Sequence, residues 1–323
     1  RAARAAATEL RAEQALAQIL PDEYPATEVW AYDGQLPGPV LRSTQGSRFE
    51  RRFVNRLGEP SSVHWHGIRI DNAMDGVSGL TQDPVPPGGS FDYAFDLPDA
   101  GTYWYHAHTS SMEQVARGLA GPLIVDEAEA PDVDRDEVWV LDDWLLDPET
   151  FQIDSGFDRM MDLSHGGRTG NLVGTNGRYG YGIEAARAER LRLRLVNAAN
   201  ARIFVLRLEG LTGWIVALDG MPLPEPEPVT AEMILAPAQR IDLIVDVTAE
   251  PGGEAALLRD DRGDEWGVQV RVAVKGEAAR NARPAPTALP PNPHMDVPGV
   301  AEARRLELQM EGGAMGGMHS ARY

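Results

Sequence analysis

The sequence predicts an all-β protein built from two sandwich domains. Short runs that alternate apolar with polar residues recur along most of the chain, and turn signals such as Asp33-Gly34 and Pro86-Pro-Gly-Gly89 separate them. A length of 323 residues is long for one domain and comfortable for two, with room for a third, partial unit. The hydrophobic share, 43%, is enough to fill at least two cores.

In chain order, residues 1–25 read as an N-terminal helix or loose arm. Arg1 to Leu20 is Ala-rich, with Leu10, Leu16, Ile19 and Leu20 at roughly helical spacing, and Pro21 stops it. From Ala26 the pattern turns to strands, at Glu28–Tyr32, Arg48–Val54, Ser62–His66, Phe91–Phe95, Gly101–His106 and Gly121–Val125, which form a first unit over 26–130. The acidic, proline-containing stretch Asp126–Asp136 marks a boundary. A second unit over 131–276 has strands at Val138–Leu141, Leu191–Val196, Ile203–Leu208, Trp214–Leu218, Ile241–Val247 and Val268–Val274. Between these, Ser155–Gly182 is Gly-rich and weakly patterned, as loops are. Residues 277–303 are dominated by Ala, Pro and Asn and read as a linker. The last block, 304–323, opens with one more strand, Arg305–Met310, and runs into Gly312-Gly-Ala-Met-Gly-Gly-Met318. A single strand cannot fold alone, so it must pair with these domains or with further sequence.

Composition removes several classes of function. A formal charge of −19 repels a phosphate backbone and argues against nucleic acid as a partner. No stretch approaches the roughly 20 apolar residues that span a membrane as a helix. There is no cysteine, which removes disulfides, zinc–thiolate sites, thiol nucleophiles and any blue copper centre from this chain.

Four of the seven histidines fall in two motifs, His64-Trp65-His66 and His106-Ala107-His108. On a strand, residues i and i+2 share a face, so each motif projects two imidazoles together while Trp65 and Ala107 face packing. Two such strands side by side converge four nitrogen ligands. Imidazole donors without thiolate lean toward copper or zinc, and spacing alone does not separate the two.

The surrounding residues do. Asp33-Gly-Gln-Leu-Pro-Gly-Pro-Val40, Val54-Asn-Arg-Leu57, Ser62-Val-His-Trp-His-Gly-Ile68, Gly101-Thr-Tyr-Trp-Tyr-His-Ala-His108 and Gly118-Leu-Ala-Gly-Pro-Leu-Ile-Val125 resemble, in the same order, the start of a multicopper oxidase of the laccase and copper-resistance type. Leu191-Arg-Leu-Arg-Leu-Val-Asn197, Ala217-Leu-Asp-Gly220 and Leu235-Ala-Pro-Ala-Gln-Arg-Ile-Asp242 resemble that family's second domain. The resemblance implies two cupredoxin-like Greek-key β-sandwiches, the first carrying the ligands and the second acting as a spacer. It implies that His64 binds a type 2 copper and that His66, His106 and His108 bind the paired type 3 coppers of a trinuclear centre. It also gives Asp75 the place of a carboxylate near the type 2 copper, tuning bound water and helping to deliver protons. Dioxygen and a small reducing substrate or metal ion become the expected partners, and the periplasm or the cell exterior the expected location.

The resemblance breaks at the third cupredoxin domain, which in that family holds the type 1 copper and four further histidines. Neither the His-Pro-x-His-x-His nor the His-Cys-His motif of that domain is present. Leu306–Met318 resembles the domain's opening strand and loop, so the expectation is a chain truncated just inside it and inactive alone as an oxidase. A metal-free cupredoxin scaffold and a stand-alone copper-binding protein are the alternatives. Of the remaining histidines, His165 reads as a loop residue and His294 as part of the linker. His319, with Met310, Met315 and Met318, is either a soft patch for Cu(I) or a flexible loop.

Overall fold

The computed structural model describes residues 8–261, 263, 265–278, 283–293 and 299–307. The first sandwich comprises β1 (Thr8–Ala17), β2 (Thr27–Tyr32), β3 (Leu41–Thr44), β4 (Arg48–Asn55), β5 (Val63–His66), β6 (Ser90–Asp96), β7 (Gly101–Ala107) and β8 (Ala120–Asp126). One sheet has the order β2-β1-β4-β6 and the other β3-β8-β7-β5. Alternation sets the core between them: Phe49, Phe53, Tyr93 and Phe95 from the first sheet meet Val63, Trp65, Tyr103, Tyr105 and Leu123 from the second.

The N-terminal helix or loose arm expected over residues 1–25 is corrected to a strand over Thr8–Ala17. β1 pairs antiparallel with β2 and parallel with β4, in a central position of its sheet. The deciding period is two, not 3.6: Leu10 and Ala12 are fully buried, while Glu9, Arg11 and Glu13 between and beside them keep more solvent contact. Two flanking strands with unpaired backbone groups override the helix propensity of alanine.

The second sandwich comprises β9 (Arg135–Trp144), β10 (Leu172–Thr175), β11 (Gly182–Arg187), β12 (Arg190–Asn197), β13 (Phe204–Glu209), β14 (Leu211–Leu218), β15 (Met221–Pro228), β16 (Met233–Leu235), β17 (Arg240–Val247), β18 (Glu254–Asp260) and β19 (Trp266–Glu277). Its sheets run β10-β9-β12-β17-β14-β15 and β11-β19-β18-β13-β16 around a core that includes Trp139, Leu193, Leu243, Phe204 and Leu257. The loops expected over Ser155–Gly182 are corrected in part: a short helix, Met160–Ser164, and strand β10 lie there. β10 is only four residues long and borrows its order from β9, so it carries little pattern of its own.

The run Leu191-Arg-Leu-Arg-Leu of β12 sends its leucines into the second core, and its arginines toward the first sandwich. Arg192 donates to both carboxylate oxygens of Glu127 (2.9 and 2.8 Å) and to Asp242 (2.7 Å). Arg194 pairs with Asp136 and donates to Thr102 Oγ1 at 3.0 Å. Full burial of these guanidinium groups is tolerated because each has carboxylate partners.

The expected linker is fixed rather than loose between residues 283 and 293. Arg190 donates to Pro284 O at 2.8 Å, Leu289 is buried, and Asn292 both accepts from Ala100 N (2.8 Å) and donates to Ala100 O (2.7 Å). The strand expected over Arg305–Met310 is absent from residues 305–307, which have no regular structure, and its remainder lies outside the described residues. So do His294, Met315, Met318 and His319.

Candidate metal centre

β5 and β7 lie side by side and antiparallel, with His64 opposite His106 and His66 opposite Trp104. Their pleat turns Val63, Trp65, Tyr105 and Ala107 into the first core and the histidines out, toward the second sandwich. Ring centroids lie 5.4 Å apart for His64 and His66, and 5.2 Å apart for His64 and His106. His108, just past the end of β7, puts its ring 5.3 Å from that of His64 and 6.0 Å from that of His106. A ligand nitrogen from each of His64, His66 and His106 falls within 4.8 Å of the others. All four expected ligands therefore share one place.

Hydrogen bonds decide which nitrogens are free. His64 Nδ1 donates to the backbone carbonyl of Asp75 at 2.7 Å, and His106 Nδ1 donates to the carbonyl of Ala107 at 3.0 Å. Each ring then keeps Nε2 as its lone-pair donor, the arrangement that orients metal-binding imidazoles. His66 Nδ1 lies 3.3 Å from His106 Nε2. Two nitrogens on one metal, each at about 2.0–2.1 Å, stand at about that separation. The residues fit a first-row metal ion between these two rings.

Burial favours the neutral form of three of the imidazoles, those of His64, His66 and His106. It pushes His106 well below the ordinary histidine range. Burial, then the positive charge of Arg240 and the neighbouring imidazole of His64, push His66 down to about 3. Burial also lowers His64, against its hydrogen bond to the Asp75 carbonyl. Neutral rings are the form that ligates metal, so protons compete weakly here.

Asp75 reaches His64 mainly through its backbone carbonyl; its carboxylate Oδ1 is 3.3 Å from the same Nδ1. The preceding single turn, Asn72–Met74, is capped by Asp71, whose side chain accepts from Ala73 N at 3.0 Å. Gly76 follows at φ +79°, against β5: a Cβ there would overlap the Val63 carbonyl. Glycine thus lets the Asp75 loop press onto the strand that carries His64.

Sequence reasoning missed part of the site. Trp104 lays its ring 4.2 Å from that of His106 and 5.2 Å from that of His66, and packs against the second sandwich's residues Val140, Val196 and Ala198. A cavity of about 400 Å³ opens over the four histidines and is completed by Met112, Asp162, Arg168, Asn200 and Ala238. Asn200 Nδ2 donates to Met112 O at 2.7 Å and ties the rim across the two sandwiches. The position of Trp104 between two predicted strand residues was the only signal for it in the sequence. The rim from the second sandwich gave none, since it depends on how the domains dock.

The family model described as multicopper oxidase matches residues 14–130. Among curated proteins, the multicopper oxidase MmcO of Mycobacterium tuberculosis is 33% identical over 248 residues, covering 68% of this chain and 48% of that protein. Copper resistance protein A of Escherichia coli is 31% identical over 336 residues, covering 90% of this chain and 54% of that protein. The chain thus spans about half the length of the curated relatives it matches. Among solved structures, a multi-copper oxidase from Pseudomonas thermotolerans superposes with a TM-score of 0.84 at 36% identity, over 93% of this chain and 70% of that one. Lac15 from a marine microbial metagenome superposes at 0.78 with 44% identity, over 90% of this chain and 72% of that one.

Proposed function

Because this chain belongs to the multicopper oxidase family, with that family's cupredoxin-like sandwiches, we propose that its four paired histidines supply half of a trinuclear copper site at which dioxygen is reduced to water. The observation that carries this is the convergence of His64, His66 and His106 nitrogens within 4.8 Å, with the far nitrogens of His64 and His106 engaged by backbone carbonyls. In this reading His64 holds a type 2 copper, and His66, His106 and His108 belong to the type 3 pair. Copper bound there would supply one-electron redox chemistry and a binding place for dioxygen.

The chain's own residues do the rest. The Asp75 carbonyl and the Ala107 carbonyl fix two imidazoles, Trp104 excludes water from one side, and burial favours the unprotonated form of His64, His66 and His106. In this reading the Asp75 carboxylate, close to His64 and partly open to solvent, helps to deliver protons at the edge of the site.

Four imidazoles are too few for three coppers, and a blue copper centre needs a cysteine this chain does not have. The remaining ligands and the entry point for electrons therefore belong to further protein, which we take to be a third cupredoxin domain. One-electron reductants, either small organic molecules or metal ions, would be oxidised there. No helix among the described residues is long and apolar enough to cross a membrane; export to the periplasm or the exterior is part of the same proposal. In the full-length protein carrying these residues, His106→Ala or His108→Ala should abolish dioxygen consumption driven by a one-electron reductant. Undiminished consumption would overturn the assignment.

A further inference from the structure

Arg240 opens β17 of the second sandwich, inside the segment Leu235–Asp242, and is 4% exposed. Its guanidinium bridges the two domains. Nε donates to Thr102 O on β7 at 3.3 Å, while Nη1 donates to Ala238 O at 2.7 Å and Nη2 to Asp219 O at 3.0 Å. The same group packs into the turn after His66: Gly67 has φ +86°, and a Cβ there would run into Arg240 Nη2. One buried cation thus touches the residue following one ligand and the strand that carries His106 and leads into His108.

We propose that Arg240 is a positioning residue that reaches from the second sandwich to hold the His66 turn and, through its fixed charge, shifts the metal preference at His66 from Cu(II) toward Cu(I). This rests on the copper reading above. Arg240's carboxylate partner, Asp219, lies 3.1 Å away and is half exposed, so water screens the partner more than the buried cation. A second buried carboxylate, Asp242, is already engaged by Arg192 at 2.7 Å. A fixed positive charge repels a divalent ion twice as strongly as a monovalent one, and a surrounding of low polarity strengthens the effect. The segment that resembles its counterpart in the family's second domain therefore acts on the ligands, and this domain is more than a spacer.

The experiment is competition titration of the 323-residue chain with Cu(II) and, anaerobically, with Cu(I), against chelators of known affinity. Binding that survives in the His66→Ala/His106→Ala variant is subtracted. Arg240→Gln should raise the ratio of Cu(II) to Cu(I) affinity by about tenfold, and Arg240→Lys should restore it to near the parent value. Asp219→Asn keeps an acceptor for the Arg240 amide and suits the positive φ of that position, so it should fold even where Arg240→Gln does not. It should shift the ratio the opposite way, by a few-fold. Parent chain that binds copper, with an unchanged ratio in both variants or shifts of one sign, would overturn the role of Arg240. Parent chain that binds no copper at the histidines would instead overturn the copper reading itself.

Discussion

Gly76 shows how a single residue sets the site. Its positive φ and the absence of a side chain let the loop lie against β5, and that contact holds the Asp75 carbonyl on His64 Nδ1. Gly76→Ala should lower stability by about 2 kcal/mol or more, read as a fall in denaturation midpoint, and should weaken metal binding as His64 turns. An alanine variant as stable as the parent would show that the loop is not pressed onto the strand. At this scale the sequence was informative. The i, i+2 spacing puts the two imidazoles of each motif on one face of its strand, and Trp65 and Ala107 on the other; the pairing of β5 with β7 brings the two pairs together. It could not show which nitrogen of each ring is free, because that depends on carbonyls of a loop and a strand end.

Among the elements, β1 departs furthest from the pattern in its sequence. Alanine-rich runs favour helices in isolation, but Leu10 and Ala12 sit between β2 and β4 and fill the first core at a period of two. Leu10→Ala should cost about 2–4 kcal/mol in chemical denaturation, as loss of a fully buried leucine does, whereas a loose arm would tolerate it without change. The long strands β4, β7, β12 and β17 were legible because their apolar faces repeat over seven or eight residues. The four-residue strands β3 and β10 were not, since each is specified by the neighbour it pairs with rather than by its own pattern.

Across the whole molecule, the two sandwiches meet through a small apolar patch around Trp104 and a buried set of arginines and carboxylates. The alternating arginines of β12 announce a strand but not that their polar face is covered; covering requires the partner carboxylates Glu127 and Asp136, which lie far off in sequence. Burial works against the Asp136 carboxylate, yet the hydrogen bonds and charge of Arg194, with Arg192 and Arg42 behind them, hold it below the usual range. A depressed folded-state value means that its stabilisation is complete above the unfolded value of about 4 and is lost as pH falls through the lower folded value. Asp136→Asn should therefore flatten the acid limb of a stability-against-pH curve below about pH 4 while lowering stability at neutral pH. An unchanged acid limb would mean that Asp136 is not held by the arginines. The most direct test of the account is anomalous diffraction at the copper edge from crystals of the copper-loaded chain. The expected result is a peak within about 2.0–2.2 Å of His66 Nδ1 and His106 Nε2, in the cavity between the sandwiches. Copper density elsewhere, with these two nitrogens still facing each other unbridged, would contradict it.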